Sequence, residues 1–559
     1  MSGQAVRWLG ELERRRLDFG SGASDRKLEL LRRLEKRRFK RSSQVLRLHD
    51  ALCFMRAYPD DDRLLATIER MLENFPHRSD LRRFQRTLSD SGIAGTTIHF
   101  SFFPATAAWL ARRWGRYLTI EWDDFEHHEK LEELLPRLVL LGETLGLDEF
   151  DFGAQGWVER LKGPEETDAE FVLRRFGQVA TSGVEAETVL EELAIPLRLS
   201  PGPDTPSLTT EKYPRVPIDF QTGPPKRSRP SIRKELAPPP LEVALVSARE
   251  GQKLIDLARA TMVTRARDLD AFAHGNRNDV RLVDCGSGLQ IALIGVKPEQ
   301  RFLLETLYGF VLLKNGVPVG YGTYLALSGS AEIAFTIFDT FRTAEAAWMY
   351  GRVLKVAYDL FGCDAFTIDP YQIGRDNDDA IRSGAWWFYQ KLGFRPRSAE
   401  CLRLMRREER RIKNNPTHRS SAATLNKLAF DNLYLYLNKR RDDVIGVLPL
   451  ANVGLRITDY LAERFGYDRR AAERTCAEEA AKLLGVRSTR RASAGERLAW
   501  KRWGPLILIL PGIERWPTAD TRALAAVVRS KGAPRESEYL LRFDRHRRLR
   551  RAIRRLTED

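Results

Sequence analysis

The sequence predicts a multidomain α+β protein, with a mixed β-sheet in the middle of the chain and mainly α-helical regions on either side. Three observations carry this. The chain has 559 residues, more than one ordinary domain holds. Apolar residues recur at helical spacing from Arg26 to about Leu193 and again from Ala422 onward, whereas between Leu241 and Asp369 they fall in short strand-sized blocks. Twelve of the 27 prolines lie between Pro196 and Pro240, where no regular helix can persist because proline lacks the backbone donor and clashes with the preceding turn. The expected organisation is a helical N-terminal region over 1–195, a Pro-rich linker or surface strap over 196–240, a sheet domain over 241–410, and a mainly helical, Arg-rich region over 411–559.

The elements follow in order. Arg26 to Arg41 reads as a helix on Leu28, Leu31 and Leu34. Pro59-Asp60-Asp61-Asp62 ends one helix and starts another, with carboxylates near the new N-terminus. Pro104 opens a helix towards Trp114, Tyr117 to Trp122 is a short strand, and Leu131 to Leu147 is a second apolar helix. Past the prolines, Leu241–Val246 is a strand and Ala248–Ala273 a long helix. Val280–Asp284, Leu289–Val296, Leu307–Lys314, Val317–Leu327 and Ala331–Phe338 are strands. Asn315-Gly316 supplies the tight turn of a hairpin. A helix over Ala344–Phe361, a strand over Ala365–Asp369 and a helix over Ser383–Leu392 complete the alternation. Trp500, Trp503 and Trp516 flank the apolar run Leu506–Leu510 in the last region, which carries no recognisable chemistry.

Composition excludes several classes. At 43% hydrophobic and 30% charged residues, the chain is neither wholly disordered nor collagenous. No apolar run is long enough to span a bilayer, and the N-terminus lacks a secretory pattern, so a cytoplasmic protein is expected. Five scattered cysteines without a CxxC pair argue against a zinc cluster or disulfide framework. Asp123 to Glu129 gathers metal-capable side chains, but adjacent His127 and His128 point apart on a helix, so an acidic helix start is the reading.

The net charge of +16 is unevenly placed. Arg26 to Arg41 holds nine Lys/Arg against two Glu, and Arg542 to Leu556 holds eight Arg against one Asp. Both segments read as helices that lay an apolar stripe on a core with their charged heads in water. The functional alternative is a phosphate-binding surface for nucleic acid or anionic lipid.

Two local motifs carry chemistry. Ala385-Trp386-Trp387-Phe388-Tyr389-Gln390-Lys391-Leu392-Gly393-Phe394 is an aromatic helix with Gly393 at its C-terminal stop. The predicted strand ending at Phe338 leads through Asp339-Thr340-Phe341-Arg342 into Thr343-Ala344-Glu345-Ala346-Ala347 and a helix. With the order of elements around them, these motifs make Leu241 to Met405 resemble the GNAT superfamily of N-acetyltransferases. The resemblance implies acetyl-CoA or another acyl-CoA as cofactor and an amine as acceptor. It implies Tyr389 as the acid that protonates the departing thiolate. It implies a phosphate site from Phe338, Arg342, Ala344, Glu345, Ala346 and Ala347, whose backbone N–H groups favour an anion. Glu345 stands where the family has glycine, and its bulk and charge oppose a phosphate there. The Asn of the family's late helix is matched by Arg382, with Asn377 upstream as a substitute or as a helix cap. Asp369, at a strand end, and Glu332, at the start of the preceding strand, are the candidate bases.

Three functions therefore stand open. They are acyl transfer to an amine, a non-catalytic scaffold that engages a protein partner through its helical arms, and association with nucleic acid through the basic segments.

Overall fold

The computed structural model describes residues 2–179, 183–214, 216–226, 229–342 and 345–558. It is an α+β structure with one large mixed sheet and one small one. It divides into two compact units. The first comprises 1–225, Lys253–His274 and the hairpin tip Leu313–Val319; the second comprises Lys226–Gln252, Gly275–Leu312 and Gly320–Asp559. Among the described residues no helix is long and apolar enough to cross a membrane.

In the first unit, helices surround a three-stranded antiparallel sheet of β1 (Ile98–Phe100), β2 (Leu118–Ile120) and β3 (Leu197–Leu199), in the order β1-β3-β2. The central strand comes from the proline-rich stretch. Much of the rest of that stretch is an ordered strap rather than a free linker: the buried Arg56 guanidinium donates to the carbonyls of Leu208, Thr209 and Glu211.

Three expected helices are shorter than their periodicity suggests. The segment from Arg26 to Arg41 is helical only as part of Ala23–Glu35, and the chain then turns to bury Phe39, whose N–H donates to Asp80 at 2.8 Å. Leu131 to Leu147 divides into His128–Leu138 and Leu141–Glu149, the new start fixed by Glu143 accepting from the Leu140 N–H. Ala248 to Ala273 breaks after Val263 and resumes at Asp270–Ala273. Asp268 holds that break by accepting from Leu269, Phe103 and Thr106.

The second unit is built on β4 (Glu242–Leu245), β5 (Gly275–Asp284), β6 (Leu289–Val296), β7 (Thr306–Lys314), β8 (Val317–Leu327), β9 (Ser330–Ile337), β10 (Ala365–Ile368), β11 (Arg395–Pro396) and β12 (Leu433–Tyr436). Their spatial order is β11-β12-β10-β9-β8-β7-β6-β5-β4. β7 and β8 are joined by Asn315 (φ 50°) and Gly316 (φ 79°), the paired positive angles of a two-residue hairpin turn. The sheet does not stop at residue 410. β12 inserts between β10 and β11, antiparallel to both, so part of the region read as helical is sheet.

β9 and β10 are parallel and joined by a crossover helix, Ala346–Phe361, which buries Trp348, Met349, Tyr350, Val353 and Leu354 and ends at Gly362 with φ 68°. The strap's last part lies along this helix. Pro230 and Glu235 crowd Gly351, where a Cβ would meet them at 3.4 and 3.3 Å. Lys355 donates to the Leu236 and Pro238 carbonyls.

The C-terminal helices pack on the same unit. The apolar run Leu506–Leu510 lies at the end of helix Ala494–Leu508, and Trp503 donates to the Leu303 carbonyl at 3.0 Å. Buried Arg301 holds the carbonyls of Lys531, Ala533 and Pro534, and Lys531 pairs with Glu536 in full burial. Arg542 to Leu556 is two helices, Glu536–Arg545 and Arg547–Glu558. His546 separates them, its Nδ1 accepting from the Leu549 N–H and its Nε2 donating to the Asp520 carbonyl.

Candidate functional site

β9 and β10 pair at three positions only, Ala365 with Ser330, Phe366 with Ala331 and Thr367 with Glu332. β9 continues to Ile337, held by β8 along its full length. β10 stops because Asp369-Pro370 turns the chain: Pro370 lacks a donor, and Asp369 accepts from the Tyr371 N–H at 2.8 Å as the cap of a short helix. The sheet therefore opens between the two strands beyond Glu332.

Side chains alternate across the sheet, so the opening has two faces. On one face, Glu332, Thr367 and Tyr434 stand in register on β9, β10 and β12. The Glu332 carboxylate makes no hydrogen bond among the described residues. Burial, reinforced by the Asp369 and Glu305 carboxylates, pushes its carboxyl up to about 7. Thr367 donates to the Ile445 carbonyl and Tyr434 to the Gly446 carbonyl, both at 2.9 Å. Tyr434 also lines a groove of about 1010 Å³ with Arg397, Cys401, Lys427, Phe430 and Asp431. Burial raises its phenol above the ordinary tyrosine value, and the Asp431 carboxylate adds to this.

The other face carries the crossover helix and the aromatic helix Ala385–Lys391. Phe335, Tyr350, Phe388, Tyr389 and Phe394 form one cluster there, with Tyr350 and Tyr389 edge to face at a centroid distance of 5.3 Å. Tyr389 is buried, its hydroxyl has no hydrogen bond among the described residues, and burial holds its proton well above the ordinary value. The Tyr350 hydroxyl is buried with no partner among the described residues. Gly393 (φ 110°) ends this helix, and Phe394 donates back to the Tyr389 carbonyl.

The expected phosphate site lies at the start of the crossover helix. Phe338 is buried and stacks on Tyr321, and its backbone caps the turn Asp339–Phe341. Arg342 donates to the Ile337 carbonyl and pairs with Asp339. Ala344 lies outside the described residues. Glu345 is buried at the N-cap position, and its carboxylate does not cap the helix; it accepts from the Lys226 N–H of the strap at 3.1 Å. The N–H groups of Ala346 and Ala347 meet no acceptor among the described residues, and the Lys226 ammonium lies 4.5 Å from the Trp348 ring centre. Asn377 is committed elsewhere, accepting from Ala380 as a helix cap and donating to the Tyr371 carbonyl.

The structure thus gathers Glu332 and Asp369 at the opening and Tyr389 beneath it on the far face, and leaves Asn377 outside. Tyr350, Thr367 and Tyr434 are additions that the sequence reading missed. The alternation Leu433-Tyr434-Leu435-Tyr436 was a readable strand signal for the last. Among the described residues no group of His, Cys, Asp or Glu is placed to hold a metal ion. No protein family, curated sequence or solved structure matches the chain.

Proposed function

We propose that the chain transfers an acyl group from acetyl-CoA or another acyl-CoA to an amine, in the manner of the GNAT superfamily, at the opening between β9 and β10. The observation that carries this reading is Glu332. Its carboxyl is pushed up to about 7, it stands where the sheet opens, and it faces the side that bears the groove. A carboxylate so tuned is a competent base for an amine near neutral pH. Tyr389 holds a proton on the opposite face, and burial keeps that proton in place at neutral pH. The N–H groups of Ala346 and Ala347, without an acceptor among the described residues, and with Arg342 and Lys226 nearby, fit an anionic group at the helix start. When bound there, acyl-CoA supplies an activated thioester carbonyl. The groove beside Tyr434 is the entry for the amine.

Glu345 favours a second reading, a GNAT-like scaffold without catalysis, because its buried carboxylate stands beside the amides a diphosphate would use. Titration calorimetry with acetyl-CoA separates the two. Binding by the wild-type protein supports transfer. Binding only after Glu345→Gly assigns the scaffold. No binding at millimolar cofactor by either protein overturns the acyltransferase reading.

A further inference from the structure

We propose that the C-terminal helix Arg547–Glu558 and the loop before it form a docking surface for the phosphate backbone of a nucleic acid. A polar cavity of about 610 Å³ is lined there by Arg545, Arg547, Arg548, Arg551 and Arg555, against Asp520 as its one carboxylate. Asp520 is engaged by Arg548 at 2.6 Å. The guanidinium groups of Arg545, Arg547, Arg551 and Arg555 are exposed and meet no hydrogen-bond or ion-pair partner among the described residues. Four like charges around one cavity repel each other, and an anion relieves that repulsion.

The spacing selects a polyanion. Arg547, Arg551 and Arg555 recur every four residues on a single helix, so they span about 12 Å at 1.5 Å per residue. A strand of duplex presents a phosphate for about every 3.4 Å of axis, so this row faces several at once. A lone phosphate would leave most of the row unused.

The same helix is poorly suited to a lipid surface. A membrane-bound amphipathic helix gives its apolar face to the lipid. Here Leu549, Ala552, Ile553 and Leu556 are buried in the protein, and no large hydrophobic side chain is exposed among the described residues after Tyr467. Trp516, which also lines the cavity, is 8% exposed and offers no face for base stacking, so recognition is of the backbone and independent of sequence.

The other Arg-rich segment differs. Arg26 pairs with Glu11 and Glu29, Arg33 with Glu29, and Lys27 is buried on Asp60. Three exposed cations there, Arg32, Lys36 and Lys40, serve as a charge-matched control.

The test is fluorescence anisotropy of a labelled DNA duplex with the full chain across a salt series. With four arginines engaged, log K falls against log salt with a slope of about −3 to −4. The triple variant Arg547→Gln, Arg551→Gln, Arg555→Gln should reduce that slope to about −1. The single reversal Arg551→Glu should weaken binding without touching a buried group. The control Arg32→Gln, Lys36→Gln, Lys40→Gln should bind as the wild type does. Equal loss in both triple variants would show diffuse charge and overturn the proposal. So would a flat salt response, binding of inorganic phosphate without duplex, or co-sedimentation with phosphatidylserine vesicles in place of duplex binding.

Discussion

Replacing Glu332 by Gln should make the protein less sensitive to alkaline pH. The Glu332 carboxyl rises from an ordinary 4.5 to about 7, chiefly through burial and then through Asp369. A raised carboxyl binds its proton more tightly in the folded chain than in the unfolded one. Its contribution is therefore full below the unfolded value and is lost as pH rises through the folded one. At about 1.4 kcal/mol for each tenfold change in proton affinity, the rise from 4.5 to about 7 bounds the effect at about 3.5 kcal/mol. The side chain is only partly enclosed, and solvent reduces the expected loss to about 2 kcal/mol. Urea unfolding followed by tryptophan fluorescence at about pH 5 and about pH 8 gives the measurement. The wild type should lose about 2 kcal/mol more than Glu332→Gln across that interval. Asp268 and Asp544, both pushed up to about 6, act with the same sign but are common to both proteins and cancel in the difference. Parallel pH dependences for the two proteins would refute the account of Glu332 and remove the base from the proposed reaction.

Two other sets of substitutions test the packing beneath the opening and the buried pair in the C-terminal helices. Tyr350→Phe deletes a buried hydroxyl without a partner and should stabilise the chain by up to about 1 kcal/mol in chemical denaturation. Tyr389→Phe should change stability by less than about 0.5 kcal/mol, yet lower acetyl-CoA turnover by about 10²- to 10⁴-fold if its proton is used. Glu536→Leu leaves both Lys531 and Arg301 buried without their carboxylate and should cost about 3 to 5 kcal/mol, and adding Lys531→Met should recover only part of that loss, because Arg301 keeps its charge and only its carbonyl acceptors.

The parts of the fold that were readable are those where one residue type meets one local demand. Asn315-Gly316 meets the demand for two positive φ angles, Pro370 ends a strand, and Gly393 ends a helix. Apolar periodicity located β4 to β10 to within a few residues, apart from the start of β5, and did not reach β11 and β12. It failed where a distant partner decided the outcome. Nothing near Phe39 announces that its N–H will be taken by Asp80, so the basic segment looked like one unbroken helix. The helix read over Arg542 to Leu556 runs through His546, whose ring ends one helix and caps the next. β12 differs: its Leu-Tyr alternation is a local strand signal only four residues long, and its place between β10 and β11 is set by strands far back along the chain.

The site shows the same division between residue type and surroundings. Tyr389 was legible because an aromatic helix ending in Gly-Phe is a local pattern. The raised proton affinity of Glu332 was not, because it depends on burial and on two other carboxylates that the fold brings near. The two basic segments make the point in reverse. By composition they are equivalent, each with a balance of seven positive charges. The fold gives the N-terminal segment Glu11 and Asp60 from outside it, in addition to its own Glu29. It gives the C-terminal helix Asp443 and Asp520, which engage Arg550 and Arg548, while Arg547, Arg551 and Arg555 stay unmatched among the described residues. Net charge therefore becomes a statement about partners only after the fold's own carboxylates have been assigned, and at the C-terminal helix a row of arginines is left for an external anion.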